Sequence, residues 1–181
     1  MKRDVAERIR SRAVEILKRA CIPVTPDEIR AMEIADLGLG DIERVGLQVV
    51  VYANNNRYCA KELILLPGQL FLEHRHPPID EGNIGKQETF RCRWGEGYLY
   101  VAGERTPSPR ASVPEVYRSH LTVHREIILK PGDQHTLVPG ERHWFQGGPQ
   151  GAVISEFSST SIDEEDIFTD PRVLRIPIFE D

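Results

Sequence analysis

Apolar residues Val5, Ile9, Ala13, Ile16, Leu17 and Ala20 recur at three- and four-residue intervals, with charged residues between them. This is the stripe of an amphipathic helix, and it needs a surface to cover it. A second helix is predicted to start at Thr25-Pro26-Asp27-Glu28, where the hydroxyl can cap, proline suits the first turn and Glu28 stands at the capping-box position. It is expected to stop near Gly38 or Gly40, where glycine can take the left-handed conformation of a helix end. After Gly46 the pattern becomes strand-like. Runs at 47–52, 58–66, 70–76, 87–94, 98–102 and 126–129 are predicted strands, followed by shorter ones around Thr136, Phe145 and Ile154. The breaks fall at Asn54-Asn55-Asn56, Pro67-Gly68, Gly95-Glu96-Gly97, Pro131-Gly132, Pro139-Gly140 and Gly147-Gly148-Pro149. Short strands and tight turns at this density predict an antiparallel sandwich or barrel. Residues 106–120 have neither period and read as a surface loop.

Composition narrows the class. The 181 residues suffice for one sizeable core and are short for two, so a single domain is expected. The net charge of −5 is spread over mixed acidic and basic residues, with no basic block to engage nucleic acid or anionic lipid. Cys21, Cys59 and Cys92 form no CxxC pair, which points to free thiols in a reducing compartment. The charged N-terminus lacks the apolar core of a signal peptide and no stretch is apolar enough for a membrane span, so the expected location is cytoplasmic.

Strand alternation then gathers the chemistry. His74-Arg75-His76 sets both imidazoles on one face and the arginine on the other. Further on, Lys86, Glu88, Phe90, Cys92 and Trp94 share a face, while Gln87, Thr89, Arg91 and Arg93 form its polar opposite. A carboxylate on that mostly apolar face needs a partner, because an unpaired buried charge is costly, and a metal held by the two histidines would be one. His143 is the candidate fourth ligand, from the run Pro139-Gly140-Glu141-Arg142-His143-Trp144-Phe145.

These positions resemble the two motifs of the cupin superfamily. Gly68, His74, His76, Glu88 and Gly95 meet the first motif, and Gly132, Pro139, Gly140 and His143 the second. The gap from His76 to Glu88 is longer than the family's, which makes 77–85 an inserted loop at the barrel mouth. Glu81 has the usual spacing but lies inside that loop, so Glu88 is the preferred ligand. The resemblance implies a mainly β fold, an antiparallel jelly-roll cupin β-barrel over 46–181, with two N-terminal helices in 1–45 packing on it. It also implies a divalent metal on His74, His76, Glu88 and His143. Three imidazoles and one carboxylate leave an octahedral ion two adjacent open sites, suiting Mn²⁺, Fe²⁺, Co²⁺, Ni²⁺ or Zn²⁺ better than Mg²⁺ or Ca²⁺. His120, His124 and His135 match no motif position and read as ordinary surface or hydrogen-bonded residues.

Over essentially the whole chain the sequence is similar to the D-lyxose isomerase family of cupins, the shorter bacterial and archaeal type. The residues that carry the likeness are His74 and His76, the KxETF run with Lys86 and Glu88, His143 of PGxxHWF, Glu156 of SEFS, and Asp170 and Arg172 of TDPR. The resemblance implies interconversion of D-lyxose and D-xylulose, often also of D-mannose and D-fructose, with Mn²⁺ or a similar ion and a monosaccharide as the partner. A homodimer is expected, since cupins of this size commonly pair through sheet edges. Glu156 is then the base, Lys86 the group that polarises or protonates the substrate oxygen, and Asp170 with Arg172 the pair that binds hydroxyls or opens the ring. The acidic run 163–166 reads as a solvated loop. A cupin-type sugar-phosphate isomerase would need cations for the phosphate, and alternation sends Arg91 and Arg93 away from the metal face. A metal-dependent dioxygenase would share the ligand set but need O₂. A non-catalytic sugar-binding cupin would have no use for Lys86 and Glu156 as extra interior ionisable groups.

Overall fold

The computed structural model describes residues 1–176. Helix α1 (Arg3–Arg19) buries Ile9, Ala13, Ile16 and Leu17 of the predicted stripe together with Ala6, while Val5 and Ala20 are only partly buried against the same core. Helix α2 (Pro26–Ala31) starts on the predicted capping box, with the Glu28 amide donating to Thr25 Oγ1 and the Thr25 amide donating to the Glu28 carboxylate. It ends well before Gly38, because the next residues are strand β1 (Glu33–Ala35). Ile34 belongs to the core under α1, whereas Ala35 belongs to the barrel core. Neighbouring residues that must serve two opposite cores suit an extended chain and not a helix.

Strands β2 (Leu47–Asn54), β3 (Cys59–Leu65) and β4 (Leu70–Arg75) follow the predicted runs closely. Strand β5 (Glu88–Val101) is one strand where two were expected. A one-turn helix α3 (Glu115–Arg118) interrupts the irregular segment before β6 (Arg125–Leu129) and β7 (Gln134–Leu137). Strand β8 (His143–Ser158) again fuses two predicted strands, and a 3₁₀ turn (Asp163–Glu165) leads to β9 (Ile167–Phe168). The segment 106–120 is not a free surface loop, since Tyr117 and the adjoining Leu121 are buried.

The strands form one curled antiparallel sheet in the order β1-β2-β3-β8-β4-β9, and β5 pairs with β6, β7 and β8. The long β5–β8 ladder runs from Glu88↔Ser158 to Val101↔His143, with register shifts near Gly95 and Gly97. The glycines expected to end strands instead bend them around the barrel corner. Gly95 has φ of +71°, and a Cβ there would lie 2.1 Å from the Gly151 carbonyl oxygen. Inside the curl, Leu63, Phe71, Phe90, Phe145 and Ile154 form the barrel core. Outside it, Val50, Ile64, Leu66 and Val153 receive α1. Among the described residues, no helix is long and apolar enough to cross a membrane.

Candidate functional site

Three strand termini converge at one end of the barrel. His74, near the end of β4, pairs in register with His143, the first residue of β8, and their ring centroids are 4.2 Å apart. His76 lies just beyond β4 on the same side, and Glu88 opens β5. Arg75 is only half-buried, while both its histidine neighbours are buried, as alternation requires. The ligand atoms of His74, His76 and His143 all lie within 4.8 Å of one another. Glu88 Oε1 is 3.0 Å from His76 Nε2 and 3.1 Å from His143 Nε2. Glu81 is exposed on the inserted loop.

Each imidazole is oriented from behind. Nδ1 of His74 meets the Leu72 carbonyl at 2.9 Å, Nδ1 of His143 meets the Glu141 carbonyl at 3.0 Å, and Nδ1 of His76 meets the Asp166 carboxylate. Acceptors at all three Nδ1 positions favour the tautomer that turns an Nε2 lone pair inward. Nε2 of His143 is buried without a hydrogen-bond partner, although Glu88 Oε1 lies 3.1 Å away. An orphaned imidazole nitrogen beside two more imidazoles and a carboxylate is a donor set that fits a divalent ion. Adjacent donors about 3 Å apart are what bonds of about 2.1 Å at right angles produce.

The electrostatics carry the same demand. Burial alone would raise the Glu88 carboxyl, but Lys86, His76 and His143 outweigh it and hold Glu88 well below the usual range. His76 would be depressed by burial, yet Glu88 and Asp166 push it up to about 9. His74 is held low by burial and then by the neighbouring His143 and His76. The pocket therefore favours one positive charge at its centre, which a proton on His76 or a cation can supply.

Lys86 is buried immediately before β5, with Nζ 3.0 Å from Glu88 Oε2 and 2.6 Å from Glu156 Oε1. Burial works against its charge, but Glu156 and Glu88 prevail and the net shift is upward. Glu156 points inward from β8 and also accepts from Ser158 Oγ at 3.1 Å. Lys86 and Glu156 thus meet beside the donor set, as the sequence led one to expect.

Other groups at the cavity were not foreseen. Lys61 of β3 lies 3.0 Å from Ser161 Oγ and 2.9 Å from Asp163, and Arg175 reaches Asp163 at 2.8 Å and pairs with Glu33. Lys61, Asp163, Asp166 and Arg175 line the same cavity as His74, His76, Lys86, Glu88 and Glu156. The solvated-loop reading of the acidic run is overturned at two positions. The Asp163 and Asp166 side chains are mostly buried and paired, while Glu164 and Glu165 stay exposed. Burial would raise Asp163, but Lys61 and Arg175 hold it below its ordinary value.

Asp170 and Arg172 are not brought to this cavity. Asp170 is buried and accepts from Arg172 Nε at 2.9 Å and from its terminal nitrogen at 2.6 Å, while Arg172 also reaches the Val116 carbonyl and the Tyr117 ring. The pair ties the chain after β9 to α3. Nε2 of His120 lies 3.9 Å from Asp170, and His135 sits on β7 opposite Phe90. Arg91 and Arg93 bond Gln134 and Ser155 on the outer face, away from the histidines.

No family model matches the chain. Individual relatives do. It is 54% identical over 175 residues to the D-lyxose ketol-isomerase of Thermofilum sp. (strain ex4484_79), covering 97% of each chain. It is 54% identical over 181 residues to the D-lyxose/D-mannose isomerase of Thermosediminibacter oceani, covering 100% of this chain and 99% of that one. It is 55% identical over 171 residues to the D-lyxose ketol-isomerase of Cohnella laeviribosi, covering 94% and 93%. Among solved structures, the L-ribose isomerase of Acinetobacter sp. DL28 in complex with L-ribose superimposes with a TM-score of 0.79 at 14% identity, over 95% of this chain and 94% of that one. The ligand-free L-ribose isomerase of Cellulomonas parahominis gives 0.78 at 15%, with the same coverage. At such low identity these two speak for the fold alone, and that fold is the cupin barrel implied by the motifs. With more than half of its residues shared along nearly its full length, the chain belongs to the D-lyxose ketol-isomerase family and is a sugar isomerase.

Proposed function

We propose that the protein is a metal-dependent isomerase that interconverts D-lyxose and D-xylulose, and also D-mannose and D-fructose, by proton transfer through a cis-enediol. The observation that carries this reading is the buried Lys86–Glu156 pair at 2.6 Å, set against the His74, His76, His143 and Glu88 donors. Those four residues would hold the ion, with Mn²⁺ as the best candidate and Co²⁺, Ni²⁺, Fe²⁺ or Zn²⁺ as alternatives. When bound, the ion supplies Lewis-acid stabilisation of the negative charge that develops on the sugar oxygens.

The chain's own residues do the rest. Glu156 removes the proton from C2 of the open-chain aldose and returns it to C1 of the ketose. Lys86 is held charged between its two carboxylates and can give a proton to the substrate O1 as the enediol forms and take the O2 hydroxyl proton as it collapses to the ketose. Asp166 keeps the His76 ring oriented. Lys61 and Arg175 are cations at the cavity, but Asp163 and Glu33 match them, which leaves no free cradle for a phosphate. Asp170 and Arg172 support the site by fixing the segment after β9. We further propose that the enzyme works in the cytoplasm as a homodimer, with 1–45 as part of the same working unit as the barrel.

The test is conversion of D-lyxose to D-xylulose by purified protein with added Mn²⁺, by chelator-treated protein, and by His76→Ala and Glu88→Ala. Turnover with the metal and its loss in the other three samples is expected. Full metal occupancy in both variants would end the four-donor reading.

A further inference from the structure

Trp144 follows His143 on β8 and so faces the outside of the barrel, where its ring stacks on Tyr100 of β5 at 3.7 Å and 1°. Against this aromatic pair the segment 105–124 walls off a groove of about 570 Å³. That volume is within the roughly 300–1,000 Å³ typical of small-molecule sites. Arg105, Arg118 and His124 line the groove, with Thr106 and Ser112 adding hydroxyls, and no carboxylate is among its lining residues. Among the described residues the Arg105 guanidinium and the His124 ring have no hydrogen-bond or ion-pair partner. Arg118 donates to the Val113 carbonyl and pairs with Glu115. Burial first, and the charge of Arg105 second, hold His124 below the usual imidazole range, with the Glu73 carboxylate acting the other way.

We propose that this groove binds a small organic oxyanion, a phosphomonoester or a carboxylate, with its charged end at Arg105 and His124 and its body against Trp144. In a chain of net charge −5, a donor-rich cleft without a carboxylate is a local concentration of opposite charge. Guanidinium groups match the oxygen pairs of carboxylates and phosphates. A neutral sugar would want carboxylate acceptors for its hydroxyls, and the groove has none. The site is separate from the histidine centre, which lies on the inner face of the same strand, so the inference does not depend on the isomerase reading.

The chain has two tryptophans, Trp94 and Trp144, so Trp94→Phe leaves Trp144 as the sole reporter. In metal-loaded Trp94→Phe protein, ribose 5-phosphate or citrate is expected to shift the fluorescence saturably. Inorganic phosphate tests the bare anion and ribose tests the body without charge. Calorimetric titration of the unaltered protein gives the same constants should Trp94→Phe fail to fold. Arg105→Ala is expected to weaken binding of the responsive probe about 10-fold or more, and Arg105→Lys to recover part of it. Equal affinity in Arg105→Ala would overturn the proposal by placing the probe at the metal centre. So would the absence of saturable binding of either organic anion up to about 10 mM. A concentration-dependent dimer that Arg105→Ala dissociates, with no probe bound, would assign the groove to a second copy instead.

Discussion

Lys86 touches two carboxylates with different duties, one proposed to hold metal and the other to move a proton. Neither Lys86 nor Glu156 belongs to the proposed donor set. Lys86→Ala and Glu156→Gln are therefore expected to retain metal while turnover falls by about 100-fold or more. Metal analysis and kcat on the same preparation check this, and wild-type turnover in either variant would remove that residue from the mechanism. Asp166 acts one layer further out. Asp166→Asn keeps an acceptor for His76 but loses its charge, and metal affinity is expected to fall about 10- to 100-fold. Competition against a coloured chelator measures it, and an unchanged affinity would reduce Asp166 to a fold contact.

At the scale of elements, residues with a strict period were the legible ones. Two-residue alternation placed His74 with His76 and Lys86 with Glu88, and the capping box placed the start of α2. Lys61 was open to the same logic, since it alternates with the inward Leu63 and Leu65 on β3, but a lysine inside a barrel is easily passed over. Asp163 and Asp166 stand in an acidic run without a period, and only the folded chain shows which two of its four members turn inward. Asp170 and Arg172 rested on family likeness alone, with no spacing to tie them to the histidines. Glycine misled in β5 and β8, because a residue that ends a strand in one setting bends it in another. The distinction can be measured. Gly95→Ala, with φ of +71° and a 2.1 Å clash, is expected to cost about 3 kcal/mol or more. Gly132→Ala, with φ of +98° and open space around its Cβ, is expected to cost only about 1 kcal/mol. Denaturant midpoints of the two variants give the comparison, and equal costs would contradict a corner role for Gly95.

For the whole molecule, the buried Lys61–Asp163–Arg175 group links stability to pH. Asp163 titrates in the folded state below its ordinary value of 3.8. Its contribution is thus complete above that value and is lost as pH falls through the lower folded value. The difference in melting temperature between wild type and Asp163→Asn is expected to be widest near neutrality and to shrink below about pH 4. A difference that stayed constant down to about pH 2 would mean that the carboxylate charge contributes nothing to stability.

Strand β8 is the shared neighbour of β3, β4 and β5, all of which precede it in the chain. Viewed in time, this makes β8 a keystone that arrives late. Until it is in place β4 has only a bridge from Leu70 to Val45 and the two-residue β9, which comes later still, and the donors on β4 and β5 have no His143 to meet. Pairings between segments so far apart in sequence close slowly. On the proposed four-donor reading, metal capture would be a late event in folding, and a nascent chain that ends before β8 would carry three of the four proposed donors with no barrel to hold them together.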